Sequence, residues 1–291
     1  MSGWRLLRLG LLQLRVRWRH NQPVSATPLD RLRDGTWRSR PVPLASAGVT
    51  TMLNYDELRL LEALTEDYWS DAGMIVDAGC FLGGSTVAMA SGLRKRGIAN
   101  RKLIHSYDLF EVEDWTRGVF FPQTVRAGDP TRPLYERNIA PLADLVAVHE
   151  GDITLTQWCG EPIEILFIDV AKHWTVCDWI TTNLFPHLIS GKSVVVQQDF
   201  LCHWWTGWLH ITMEYFADYF ERICDTEVNS VVFLHTKAFP QGALKLDLVS
   251  GMSREQHIEL LDGAAARFSG EQAKYLHQAK AHFLEIFDYG R

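Results

Sequence analysis

The chain has 291 residues, 47% of them hydrophobic, and a formal net charge of −6. That length fits one large core with appended helices and argues against two full catalytic domains, while the acidic balance excludes general attraction to nucleic acid. The five cysteines are scattered and never in a Cys-x-x-Cys arrangement, which excludes a disulfide framework or zinc site and points to a reducing cytoplasm. No apolar stretch reaches the roughly 20 residues of a membrane span.

Residues 1–50 read as a basic segment followed by a linker. No acid precedes Asp30, whereas Arg5, Arg8, Arg15, Arg17 and Arg19 do. Trp4, Leu7, Leu11, Leu14 and Trp18 recur at helical spacing with arginines on another side, so a helix here is amphipathic. Three roles are open to it: docking on its own domain or on a second subunit, peripheral contact with an anionic membrane surface, or a loosely ordered arm. Arginines interrupt the leucines, which argues against a secretory signal. Pro23, Pro28, Pro41 and Pro43 mark residues 20–50 as an irregular linker or wrap. Asn54 with Glu57 then predicts the capped start of a helix through Leu58, Leu61, Leu64 and Tyr68.

Met74-Ile75-Val76-Asp77-Ala78 predicts an apolar first strand, and Gly79-Cys80-Phe81-Leu82-Gly83-Gly84-Ser85-Thr86 a glycine-rich turn that opens a helix. Without a Cβ, Gly79 and Gly83 can take positive φ and let backbone approach a ligand, while the first amides of the helix point out of its positive end. The spacing is not the Gly-x-Gly-x-x-Gly that seats a dinucleotide pyrophosphate. An ordinary strand-to-helix turn is the competing interpretation. Here the chain resembles the class I S-adenosylmethionine-dependent methyltransferases, whose first motif is an acid-x-Gly-x-x-x-Gly turn after strand one. The resemblance implies a Rossmann-like α/β fold, with a seven-stranded, mostly parallel sheet, helices on both faces and a C-terminal antiparallel hairpin. It also implies Asp77, Gly79 and Gly83 as cofactor-binding residues.

The following strands are predicted to end in acids or other polar groups. Lys102 to Asp108 is a second strand whose terminal Asp108 suits both hydroxyls of a ribose. Leu145 to His149 leads into Glu150-Gly151-Asp152, where Asp152 fits the family position that accepts from the exocyclic amine of adenine. Ile163 to Asp169 and Ser193 to Asp199 complete the set, so one sheet edge should collect Asp77, Asp108, Asp152, Asp169 and Asp199. Any one of them, taken singly, is as well read as a helix cap. Between the second and third strands, Trp115, Phe120, Phe121, Pro122, Gly128 and Pro130 fit either a mobile lid or a surface loop packed by its own aromatics.

Around strands four and five the chain resembles the bacterial small-molecule and sugar O-methyltransferases related to macrocin O-methyltransferase, over roughly residues 55 to 250. In that family an acid after strand four and an acidic pair after strand five hold a divalent ion. Asp169 and Asp199 match two metal positions, but Gln198 stands where the pair's first acid is expected and Val170-Ala171-Lys172 replaces a Gly-Asp-type stretch. A Mg2+ ion prefers charged oxygens, so a weakly held ion and a metal-independent branch both remain open. Deprotonation of an acceptor hydroxyl needs a base, for which His173 is the candidate, while Asp169 is the other expected catalytic residue through its metal position. His173 is equally a helix cap, and Lys172 could offset developing charge but is better read as a solvated loop lysine. After Asp199, Trp204 or Trp205 is assigned to an acceptor wall, with His203 or His210 bonding hydroxyls, and Trp208 to packing. Tyr215, Phe216, Tyr219 and Phe220 continue a helical pattern with Trp208 and Ile211.

Asn229 to His235 and Leu244 to Val249 are predicted as the closing hairpin, and Ser253 with Gln256, then Ser269 with Gln272, as starts of C-terminal helices. The expected organisation is a basic segment and linker over 1–50, a methyltransferase domain over 51–251 and a helical extension over 252–291. The implied activity is transfer of methyl from S-adenosylmethionine to a hydroxyl of a sugar or polyol-like small molecule. Its rivals are a non-catalytic methyltransferase-like binding protein and an NAD-dependent oxidoreductase.

Overall fold

The computed structural model describes residues 26–201, 207–245 and 247–287. Strands β1 (Met74–Ala78), β2 (Ile104–Asp108), β3 (Val146–Glu150), β4 (Ile163–Ile168), β5 (Val194–Gln197), β6 (Phe220–Asp225) and β7 (Val231–His235) form a seven-stranded sheet ordered β3-β2-β1-β4-β5-β7-β6. The first five are parallel to one another, and β7 runs antiparallel to β5 and β6. The helices are α1 (Pro28–Arg33), α2 (Tyr55–Ala63), α3 (Gly84–Lys95), α4 (Arg132–Ile139), α5 (Trp174–Asn183), α6 (Gly207–Tyr215), α7 (Arg254–Ala266) and α8 (Gly270–Ile286). The α/β class expected from the sequence is the one observed.

Successive residues of a strand point to opposite faces, so the apolar runs of β1, β4 and β5 fill two cores at once. Ile75, Ile165, Phe167, Val194 and Val196 pack with residues of α2, α3 and α4. Val76, Leu166, Ile168 and Val195 pack with residues of α5 to α8. Asn54 caps α2 by accepting from the Asp56 and Glu57 amides, and Glu57 returns a bond to the Asn54 amide at 2.9 Å, the arrangement its spacing predicts. Leu58, Leu61 and Leu64 are buried as expected. From Pro28 to Gly48 the chain wraps rather than links. Leu32 and Trp37 enter the core on the α2 side, and Arg33 reaches Glu221 on β6 at 2.6 Å. The amphipathic pattern of Trp4 to Trp18 lies outside the described residues.

The hairpin is shifted from its expected place. Its partner for β7 is β6, reached directly from the helical run through Tyr219, and the described residues between Leu244 and Val249 form no strand. Phe220 and Ile223 are buried while Glu221 and Arg222 are exposed, and a bulge between Arg222 and Cys224 breaks the alternation that would have marked the strand. Leu248 and Val249 are buried in a turn instead, where the Val249 amide donates to Asp178 Oδ1 at 3.2 Å.

Candidate active site

Backbone bonds lace the carboxyl ends of the parallel strands together. Gly79 N donates to Tyr107 O at 2.9 Å, Gly151 N to Asp108 O at 2.9 Å, Asp169 N to Ala78 O at 2.7 Å and Gln198 N to Ile168 O at 3.0 Å. Strand order reverses between β1 and β4, and open α/β sheets bind ligands in the crevice outside that point.

The glycine turn is built for close approach. Gly79 has φ 92° and Gly83 φ 96°, and a Cβ on Gly79 would stand 2.8 Å from the Asp169 carbonyl carbon. Phe81, at φ 47°, and Phe110, at φ 56°, occupy left-handed backbone that disfavours side chains. Both are held by one group: the Phe81 amide donates to Asp108 Oδ2 at 2.7 Å and the Phe110 amide to Oδ1 at 2.8 Å. Burial raises the Asp108 pKa against the pull of those amides. Asp108 thus sits at the mouth of the glycine turn and sets the shape of its two loops.

Asp77 serves the same turn from beneath. It is fully buried and accepts from Ser85 Oγ at 3.1 Å and from the Thr86 hydroxyl, fastening the first turn of α3 to β1. Burial pushes its pKa up to about 6, and its Oδ1 has no hydrogen-bond partner. Asp152 follows Gly151 at the end of β3, is exposed, and accepts from the Thr154 amide and hydroxyl at 2.8 Å each.

The second half of the site is a cluster around Lys172. Its ammonium lies 3.1 Å from Asp169 Oδ1, 2.9 Å from Gln198 Oε1, and in contact with Asp199 Oδ2. Gln198 Nε2 donates to Asp199 Oδ1 at 2.6 Å. Asp199 is at φ 60°, a left-handed kink that turns it back toward β4. Burial pushes the Asp169 pKa up to about 7 against the Lys172 charge, with Asp199 adding to the rise. Burial disfavours charge on Lys172, yet the two carboxylates raise its pKa overall. Glu57, 1% exposed, lies behind this cluster, bonded by Ser230 Oγ at 2.7 Å.

His173 is placed as the N-cap of α5, with Nδ1 accepting from the Thr175 amide at 3.3 Å and 2.8 Å from its hydroxyl oxygen. A neutral imidazole that accepts at Nδ1 carries its proton on Nε2. Trp208 packs in the core, 5% exposed, and its indole N–H donates to Ala171 O at 2.6 Å. His210 is buried, with Nε2 2.7 Å from Phe200 O, so it bonds backbone rather than an acceptor. His203, Trp204 and Trp205 lie outside the described residues. The aromatic segment packs on the glycine turn itself: Phe120 and Phe121 meet Phe81 edge-on at 5.5 and 5.9 Å, and Trp115 stays exposed.

Sequence reasoning does not find the centring of the acids on Lys172, nor Glu57 beneath them. A lysine before a helix and a glutamate in a capping box carry no signal that they meet.

No family model and no curated protein matches the chain. Among solved structures it is similar to the O-methyltransferase NovP, at 18% identity over 72% of this chain and 88% of that one, with a TM-score of 0.51. CalS11, calicheamicin methyltransferase, overlaps at 17% identity over 74% and 94% of the two chains with a TM-score of 0.45. Coclaurine N-methyltransferase, bound to N-methylheliamine and SAH, overlaps at 13% identity over 91% and 82% with a TM-score of 0.31. The strand order, the closing antiparallel hairpin and the overlap with NovP establish that this chain has the class I methyltransferase fold.

Proposed function

We propose that the protein transfers a methyl group from S-adenosylmethionine to a hydroxyl of a small acceptor of sugar or polyol type. The observation that carries this is the pairing of the positive-φ glycine turn with Asp108 at the switch point of the sheet. In this assignment Asp108 accepts from the ribose hydroxyls, Asp152 from the adenine amine, and the turn from Gly79 to Gly83 with the start of α3 receives the amino-acid end. Asp77 holds that turn in place. The sulfonium supplies an already activated methyl, so the protein's work is alignment and removal of one proton. Asp169, with its pKa near 7 at the edge of the same crevice, takes the hydroxyl proton. His173, with its proton on Nε2, orients the acceptor as a donor.

NovP, an O-methyltransferase by name, supports transfer to an oxygen. The free thiols Cys80, Cys159, Cys177 and Cys224 support work in a reducing compartment, and no helix among the described residues is long and apolar enough to cross a membrane. Calorimetric titration with S-adenosylmethionine, S-adenosylhomocysteine and NAD tests the donor, with binding of the first two alone expected. Binding of NAD alone would favour an oxidoreductase. Donor binding without turnover across sugars, polyols and phenols would favour a binding protein.

A further inference from the structure

A divalent ion does not fit the donor set at Asp169 and Asp199. Such an ion needs several charged oxygens directed at one point. Here one oxygen of each carboxylate and the Gln198 carbonyl oxygen already converge on the Lys172 ammonium. The other end of the Gln198 amide presents an N–H to Asp199 Oδ1 at 2.6 Å, which blocks approach of a cation from that side. Among the described residues no group of three or more His, Cys, Asp or Glu side chains is arranged to hold a metal.

We propose that Lys172 is the resident cation of this site: its ammonium stands between Asp169 and Asp199, the two positions that the resemblance to macrocin-type enzymes would give to a divalent ion, and it positions the acceptor oxygen without metal. The inference rests on the methyltransferase assignment for its chemistry, though not for its geometry. Three features carry it. Lys172 touches three oxygen-bearing side chains from two strand ends. Gln198 is 5% exposed and bridges lysine and aspartate, so its neutral amide is the partner that a single positive charge requires. A second carboxylate there would leave three acids against one lysine, with Glu57 adding a fourth negative group nearby. The three N–H groups of the ammonium are matched by three oxygens, so an acceptor hydroxyl takes the place of one of them, and the positive charge stabilises the charge that grows as the proton leaves for Asp169.

The test reads metal and donor binding separately. Wild-type protein titrated with Mn2+ and followed by electron paramagnetic resonance should show no specific site, and chelator should leave its S-adenosylhomocysteine affinity and melting temperature unchanged. In the Lys172→Ala/Gln198→Asp double variant three carboxylates face an empty position, and Mn2+ affinity should rise by roughly tenfold or more. Loss of that gain on adding Asp169→Asn assigns the ion to this cluster. Lys172→Met should retain S-adenosylhomocysteine binding, which reports a folded donor site, and lose on the order of 10²-fold in kcat, with Lys172→Arg recovering part of it. Stoichiometric Mn2+ binding by the wild type, lost in Asp169→Asn, would overturn the inference, as would an unchanged kcat in Lys172→Met. Failure of S-adenosylhomocysteine to bind wild type would instead overturn the methyltransferase assignment and leave the Mn2+ result to stand alone.

Discussion

Asp108 bonds two loop amides through opposite oxygens, and in the proposed assignment it also accepts from the ribose hydroxyls. Asp108→Ala should weaken S-adenosylhomocysteine binding by about 1.5–3 kcal/mol, the range for hydrogen bonds to a charged group, as read by calorimetry. Asp169 and His173 separate by pH. With Asp169 as base, kcat should rise with pH through about 7, and Asp169→Asn should lose that limb. His173→Ala should keep it while melting earlier, because removing an N-cap acceptor costs about 0.5–2 kcal/mol. Asp77 makes a stability prediction with a definite sign. Burial raises its pKa from 3.8 to about 6, so the native state holds the proton more tightly than the unfolded chain. Stability therefore falls as pH rises from about 4 to about 6, by on the order of 2–3 kcal/mol. In Asp77→Asn that decline should be absent from denaturant titrations across the window.

At the level of elements, the turn between β1 and α3 is the part whose geometry tolerates least change. Gly79 combines φ 92° with a Cβ position only 2.8 Å from Asp169 backbone, so Gly79→Ala must both strain the turn and push the end of β4 away. We expect a loss of about 1–3 kcal/mol in stability and disproportionate loss of donor binding. An unaltered calorimetric isotherm would place the donor elsewhere. The β6–β7 hairpin illustrates the opposite case. Its edge strand carries a bulge, and Arg33 and Arg38 of the N-terminal wrap reach its acids at 2.6 and 3.9 Å, covering an edge that would otherwise be open to pairing.

For the molecule as a whole, residues 252–291 contribute to a shared core. Leu261, Ala264, Leu276 and Phe283 belong to the same buried cluster as Phe200, Trp208 and Ile211, and a Cβ on Gly207 would meet Phe283 Cβ at 2.6 Å. Helices α6 and α8 are thus in backbone-close contact. Deleting 252–291 should expose that apolar face and abolish a cooperative melting transition, measured by circular dichroism, rather than trim an appendage. A truncated chain that melts sharply near the full-length temperature would define the extension as separable.

What the sequence determines is the part governed by local rules. Continuous apolar runs ending in acids specify buried parallel strands, a glycine turn with its following helix specifies the switch point, and Asn54 with Glu57 or Ser253 with Gln256 specifies capped helix starts. The tertiary structure decides what depends on meeting at a distance. The edge strand β6 escapes pattern reading because a bulge breaks its alternation, and Leu244 to Val249 mimics a strand because Leu248 and Val249 are buried in a turn against Asp178. Lys172 reads as a solvated loop residue until β4 and β5 bring Asp169 and Asp199 to either side of its ammonium. A lysine's partners are set by which strand ends adjoin, and that adjacency is a property of sheet order, which no window of sequence contains.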